Sequence, residues 1–166
     1  MPNEPYRVGV ITASDKGAQG AREDLSGQVI RELVEKAGYV VTSYRLLPDD
    51  QPGLEEELKR LCDGELADLV LTTGGTGFSP RDWMPEATIA VAERLVPGIP
   101  EALRQYSLSI TSRAMLSRAA AGIRGRTLIV NLPGSPKAVR EHLTYLLPEL
   151  PHGLAILTGQ AGECAG

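Results

Sequence analysis

A chain of 166 residues fits one compact domain, and 42% apolar with 23% charged residues is globular rather than disordered composition. The net charge of −4 argues against a face that tracks a nucleic-acid backbone. No apolar run reaches the ~18–20 residues of a membrane span, and the first residues lack a signal-peptide pattern, so a soluble cytoplasmic protein is expected. Two cysteines, Cys62 and Cys164, and two histidines, His142 and His152, lie in no ligand-like spacing, which disfavours a disulfide framework and a zinc site.

Residues 7–13 form a short apolar run, predicting a strand buried on both faces that empties into the polar loop Ser14-Asp15-Lys16-Gly17. Val29, Ile30, Leu33, Val34 and Ala37 make one apolar stripe, predicting a helix over 25–36 stopped by Gly38. A strand over 39–47, closed by Pro48-Asp49-Asp50, and a helix carrying Leu54, Leu58 and Leu61 come next. Residues 67–73 read as the third strand, delivering the chain into Gly74-Gly75-Thr76-Gly77. Pro85 suits the first turn of a helix through 94, and another helix is expected over 100–108. A turn at Arg124-Gly125-Arg126 precedes a strand over 127–132, then Pro133-Gly134-Ser135-Pro136, a helix over 137–147 and a last one near Leu154. Alternating strands and helices with short links predict a three-layer α/β/α domain over 5–159. Its sheet is mostly parallel with one small hairpin, and a loose tail is expected over 160–166.

Ligands of open α/β sheets bind beyond the carboxyl ends of the strands, and four unusual loops fall at such ends. Gly74-Gly75-Thr76-Gly77 reads either as a backbone cradle for phosphate or as a tight strand-to-helix turn, since it is neither a Walker A loop nor GxGxxG. Asp49 and Asp82 follow the second and third strands. If those strand ends are neighbours, ~5 Å apart, the two carboxylates reach one ligand and share a Mg²⁺; singly, each reads as a turn or cap residue. Lys16, Arg81, Arg118 and Lys137 are either phosphate partners or solvated charge. Asn131, Pro133 and Gly134 suit the edge of a heterocycle or a plain turn. Trp83 is expected to pack in the core.

Those residues carry a resemblance. The run from Leu71 through Thr73, Gly74-Gly75-Thr76-Gly77 and Ser79-Pro80-Arg81-Asp82, continued by Pro85-Glu86-Ala87-Thr88, is similar to the signature of the MogA/MoaB family of molybdenum-cofactor biosynthesis. Met115-Leu116-Ser117-Arg118, Leu132-Pro133-Gly134-Ser135-Pro136-Lys137, Ser14-Asp15-Lys16 with Asp24, and Leu47-Pro48-Asp49 match as well, in the family's order. The MogA-like branch, with the gephyrin G domain, is the nearest in pattern. The resemblance implies a molybdopterin-binding fold and a molybdopterin adenylyltransferase that moves AMP from ATP to the terminal phosphate of molybdopterin, with Mg²⁺, releasing pyrophosphate. Asp49 and Asp82 would serve catalysis and hold the metal. Ser14, Asp15, Thr73, Gly74, Gly75, Thr76, Gly77, Ser117, Arg118, Asn131, Pro133, Gly134 and Ser135 would bind substrate and nucleotide. A homotrimer and a molybdenum-insertion partner also follow from the family, and neither nucleic acid nor membrane is expected as a partner. A non-catalytic molybdopterin carrier or scaffold is the rival reading. Trp83-Met84 stands where the family typically has Val-Thr.

Overall fold

The chain was analysed as a computed structural model that describes residues 4–160. Of the tail expected over 160–166, residues 161–166 lie outside the described residues. The elements in chain order are β1 (Arg7–Ala13), α1 (Asp15–Ala18), α2 (Leu25–Lys36), β2 (Val40–Leu47), α3 (Gln51–Asp63), β3 (Leu69–Thr73) and α4 (Met84–Val91). They continue with β4 (Arg94–Leu95), α5 (Gly98–Leu108), β5 (Ala121–Arg124), β6 (Thr127–Leu132), α6 (Pro136–Leu146) and α7 (Leu150–Leu157). The six strands form one sheet in the order β2-β1-β3-β6-β5-β4. β2, β1, β3 and β6 run parallel, and β5 and β4 are antiparallel to their neighbours.

Period-two side-chain alternation divides the core. Val8, Val10, Leu69, Leu71, Leu128 and Val130 point to one face and pack with residues of α2, α5, α6 and α7. Ile11, Val70 and Ile129 point to the other face, where Leu54, Leu58 and Leu61 of α3 and Met84, Ala87 and Val91 of α4 cover them. All five residues of β3 are buried, as befits a central strand covered on both sides. Three layers, a mostly parallel sheet and the β5–β6 hairpin agree with the expectation.

The helices that follow the parallel strands begin at the carboxyl rim. Asp24, Asp50 and Ser135 cap α2, α3 and α6 by accepting the N–H of Gly27, Gly53 and Ala138. Each such cap contributes about 1 kcal/mol and fixes where its helix starts. α4 differs: its cap position is Trp83, with no side-chain cap bond.

Local readings failed where a tertiary partner decided the outcome. Ser14-Asp15-Lys16-Gly17 is a single helical turn capped by the Ser14 hydroxyl rather than an open loop. The helix expected through residue 94 stops at Val91, because Arg94 and Leu95 pair with Ile123 and Gly122 to form β4. Trp83 does not plug the core; it is 42% exposed. The strands leading to Asp49 and Asp82 are not neighbours either. β1 lies between β2 and β3, so their ends are about 10 Å apart, two strand spacings.

Candidate active site

A cleft of about 700 Å³ opens over the carboxyl ends of β1, β2 and β3, where the chain leaves the sheet for its helices. Of the residues nominated from sequence, Ser14, Asp49, Thr73, Gly74, Gly75 and Asp82 line it, together with Gly134 and Ser135. The two carboxylates thus meet in one cleft although their strands are not adjacent. The loop after β3 makes this possible by doubling back, with Ser79 donating its N–H to Asp82 Oδ2 at 2.9 Å and the Met84 N–H reaching the Gly75 carbonyl at 3.1 Å.

Asp49 Oδ2 accepts the Asp15 N–H at 3.0 Å, and the Asp49 N–H returns a bond to Asp15 Oδ1 at 2.9 Å. Burial, reinforced by the charges of Asp15 and Asp82, raises the Asp49 carboxyl above its ordinary range, although the Asp15 N–H pulls the other way. Among the described residues Asp49 Oδ1 and Asp82 Oδ1 accept no protein hydrogen bond, so each carboxylate keeps one oxygen for a ligand. No group of three or more metal-capable side chains exists among the described residues. Two carboxylates suffice for Mg²⁺, which completes its octahedron with water and substrate phosphate, so the donor set fits that ion and not a cage built from protein alone.

The glycine loop supplies the complementary charge. The N–H of Gly75, which lines the cleft, makes no hydrogen bond among the described residues; those of Thr76 and Gly77 are also unpaired but lie off the cleft wall. Gly74 is held against β1: its φ is +88°, and a Cβ there would lie 2.4 Å from the Ala13 carbonyl oxygen. Only glycine lets the loop approach that closely. Thr73 Oγ1 donates to the Pro133 carbonyl at 2.5 Å, and Ser26 Oγ to the Gly134 carbonyl at 2.7 Å, which ties the β6–α6 loop to the same rim.

Other nominated residues do not reach the cleft. Asn131 is 1% exposed; its amide donates to Thr72 Oγ1 at 3.0 Å and Thr88 Oγ1 at 2.8 Å, and its oxygen accepts the Ala120 N–H at 3.0 Å. That side chain is saturated inside the fold and has nothing left for a heterocycle. Arg118 is likewise committed. Its guanidinium donates to the carbonyls of Gly77 (2.7 Å) and Asp82 (2.8 Å) and to Glu86 Oε2 (2.7 Å), while its N–H meets the Thr76 carbonyl at 3.0 Å. It clamps the glycine loop from behind instead of facing a phosphate. Ser117 is half-buried beside it, its hydroxyl accepting the Ala119 N–H. Thr76 is buried, Gly77 backs onto Asp82, and Pro133 contributes only its carbonyl. Asp15 spends both oxygens on Asp49 and Arg81. Lys137 pairs loosely with Glu141, and Lys16 is exposed outside the cleft wall.

Sequence reasoning did not nominate Thr12, Arg22, Asp24 or Ser26, which also line the cleft. Asp24 accepts the hydroxyls of Thr12 (2.7 Å) and Tyr44 and the Gly27 N–H (2.9 Å), joining β1, β2 and α2. Burial first, then the bond to Asp24, pushes the Tyr44 phenol up to about 12, so it remains a donor. The available signal was Asp24 with Ser26-Gly27, which matched the family's pattern but was given no site role. Arg22 forms no ion pair among the described residues and faces a cleft wall containing Glu23, Asp24, Asp49 and Asp82.

An open α/β/α sheet whose rim cleft combines free carboxylate oxygens with an unpaired loop N–H has the chemistry suited to a phosphorylated ligand and a divalent ion. Comparison with known proteins narrows the class. Residues 9–152 match the family described as "Probable molybdopterin binding domain". The chain is 41% identical over 160 residues to the molybdopterin adenylyltransferase of Helicobacter pylori (strain J99), covering 94% of this chain and 90% of that protein. It is 41% identical to gephyrin of Dictyostelium discoideum over 95% of this chain, although that alignment takes in only 23% of gephyrin. The crystal structure of the molybdopterin biosynthesis enzyme MoaB from Thermus thermophilus superposes with a TM-score of 0.88 at 49% identity, over 93% of this chain and 97% of that one. The chain belongs to the MogA/MoaB family of molybdenum-cofactor biosynthesis proteins, in its MogA-like branch.

Proposed function

We propose that this protein is a molybdopterin adenylyltransferase that transfers AMP from ATP to the terminal phosphate of molybdopterin and releases pyrophosphate. A molybdopterin phosphate oxygen attacks the α-phosphorus of ATP. The new P–O bond forms as the bond from that phosphorus to the oxygen bridging the β-phosphate breaks, and pyrophosphate carries the electron pair away. The observation that carries the reading is the meeting of Asp49 and Asp82, each with a free oxygen, in one cleft with the glycine loop. Asp49 and Asp82 would hold Mg²⁺, which when bound offsets the negative charge of the phosphates. The unpaired Gly75 N–H on the cleft wall would orient a phosphate oxygen without a conformational change at the moment of reaction. Ser14, Ser26 and Ser135 add hydroxyls along the cleft wall. Phosphoryl transfer of this kind needs positioning and charge stabilisation and no covalent nucleophile.

ATP as a substrate is consistent with a cytoplasmic protein, and among the described residues no helix is long and apolar enough to cross a membrane. A homotrimer and a molybdenum-insertion partner that takes the adenylylated product complete the proposal, on the family pattern. The test is Mg²⁺-dependent formation of adenylylated molybdopterin from ATP. Asp49→Asn and Asp82→Asn should each cost turnover by about 10²-fold or more while the protein stays folded. Unchanged turnover in both would remove the catalytic reading and favour a carrier or scaffold role.

A further inference from the structure

β1 lies between β2 and β3, so the turn after β1 has the loops carrying Asp49 and Asp82 on either side. Asp15 sits in that turn and touches both. Toward β2 it exchanges two backbone-to-carboxylate bonds with Asp49, at 2.9 and 3.0 Å. Toward β3 its two oxygens receive the fork of Arg81, Nε at 3.0 Å and Nη2 at 3.1 Å. Arg81 precedes Asp82 in a turn closed by the Ser79 N–H on Asp82 and by the Arg81 N–H on Ser79 Oγ at 3.2 Å. A continuous chain of bonds therefore runs Asp49, Asp15, Arg81, Asp82, while Asp49 and Asp82 share no direct bond among the described residues.

Three carboxylates lie along this line with one guanidinium among them. Without Arg81 their like charges favour separation of the loops, and Arg118, which holds the Asp82 carbonyl, anchors that loop only from behind. We infer that the Arg81–Asp15 ion pair is a strut that sets the separation of Asp49 and Asp82, making Asp15 and Arg81 positioning residues for the divalent ion. The inference rests on the proposed metal role of the two carboxylates. An exposed pair of this kind adds little to global stability. Its effect is local, because groups that orient metal ligands change affinity even where they touch no metal.

Binding of Mn²⁺, followed by the electron paramagnetic resonance of the free ion, tests the strut without turnover when α,β-methylene-ATP is present as a non-transferring nucleotide. Arg81→Met is expected to weaken Mn²⁺ binding by about tenfold, and Arg81→Lys by less, since the charge is kept and only the fork is lost. Arg81→Met combined with Asp15→Asn should be no worse than the weaker single variant, because both act through one pair. Melting temperatures should stay within about 3 °C of the parent. If Asp49→Asn and Asp82→Asn abolish binding while Arg81→Met binds like the parent, the strut is overturned and the metal reading stands. If none of the five single variants (Asp15→Asn, Asp49→Asn, Asp82→Asn, Arg81→Met and Arg81→Lys) alters binding, the metal reading falls and takes the strut with it. Weaker binding of the nucleotide without metal in Arg81→Met, with Asp15→Asn unaffected, would make Arg81 a direct phosphate contact and would also overturn the strut.

Discussion

Gly74→Ala is the sharpest test of how the fold shapes the cleft. Two costs combine at this position. A left-handed backbone at φ +88° costs an L-residue roughly 1–2 kcal/mol. The added methyl would sit 2.4 Å from the Ala13 carbonyl oxygen, where real contacts are no closer than 3.0 Å, so at least 0.6 Å must open. β1 cannot supply that movement, since it is paired on both edges with β2 and β3. The glycine loop must move instead, at a further 1–3 kcal/mol, on the order of an overpacked site. The total is about 2–5 kcal/mol, with the glycine loop displaced by a good part of an ångström and, on the loop's proposed role, activity reduced about 10²-fold. Gly38→Ala is the control: its φ is +94°, but nothing lies within 4 Å of its added methyl, so it should show the backbone cost alone. Urea unfolding at constant m-value measures both variants, and adenylyl transfer measures the loop. Equal destabilisation of the two, with activity kept in Gly74→Ala, would show that contact with β1 does not hold the loop in place.

Arg118→Ala should destabilise by about 1–3 kcal/mol, because three acceptors lose a charged donor and Glu86 Oε1 is already buried without a partner. Adding Glu86→Gln should restore part of that loss in urea unfolding; no restoration would mean that the carboxylate is not what Arg118 compensates. His142 is buried, with Nε2 3.2 Å from Ser107 Oγ and Nδ1 unpartnered, and desolvation holds its pKa below the ordinary 6.5. The unfolded chain therefore binds the proton more readily, so stability is full above pH 6.5 and falls as the pH drops through and below that value. His142→Gln should flatten this limb of the stability–pH curve, and an unchanged slope would assign it to other groups.

The layered fold was legible in the sequence because β1 and β3 are short apolar runs and α2, α3 and α6 are marked by capping residues or glycines. Such signals are local. What escaped was decided by partners remote in sequence. Arg94 looked like the end of a helix until Ile123 supplied a strand to pair with, and Asn131 looked like a ligand to a heterocycle although its amide is consumed by Thr72 and Thr88. Arg118, read as a phosphate partner, lies 41 positions from the Gly77 carbonyl it holds.

The two aspartates show the same limit from the other side. Their convergence was anticipated from strand ends set side by side, yet β1 separates those strands. Nothing in the spacing of Asp49 and Asp82 reveals that the loop after β3 folds back across the gap, or that a third aspartate bonds to one loop and, through Arg81, to the other. Burial first, and then the charges of Asp15 and Asp82, raise the Asp49 pKa, so its ionised form is costly at this rim. A cation held by Asp49 and Asp82 would offset that cost, so the burial and like charge that disfavour the free Asp49 carboxylate are what a bound cation would relieve.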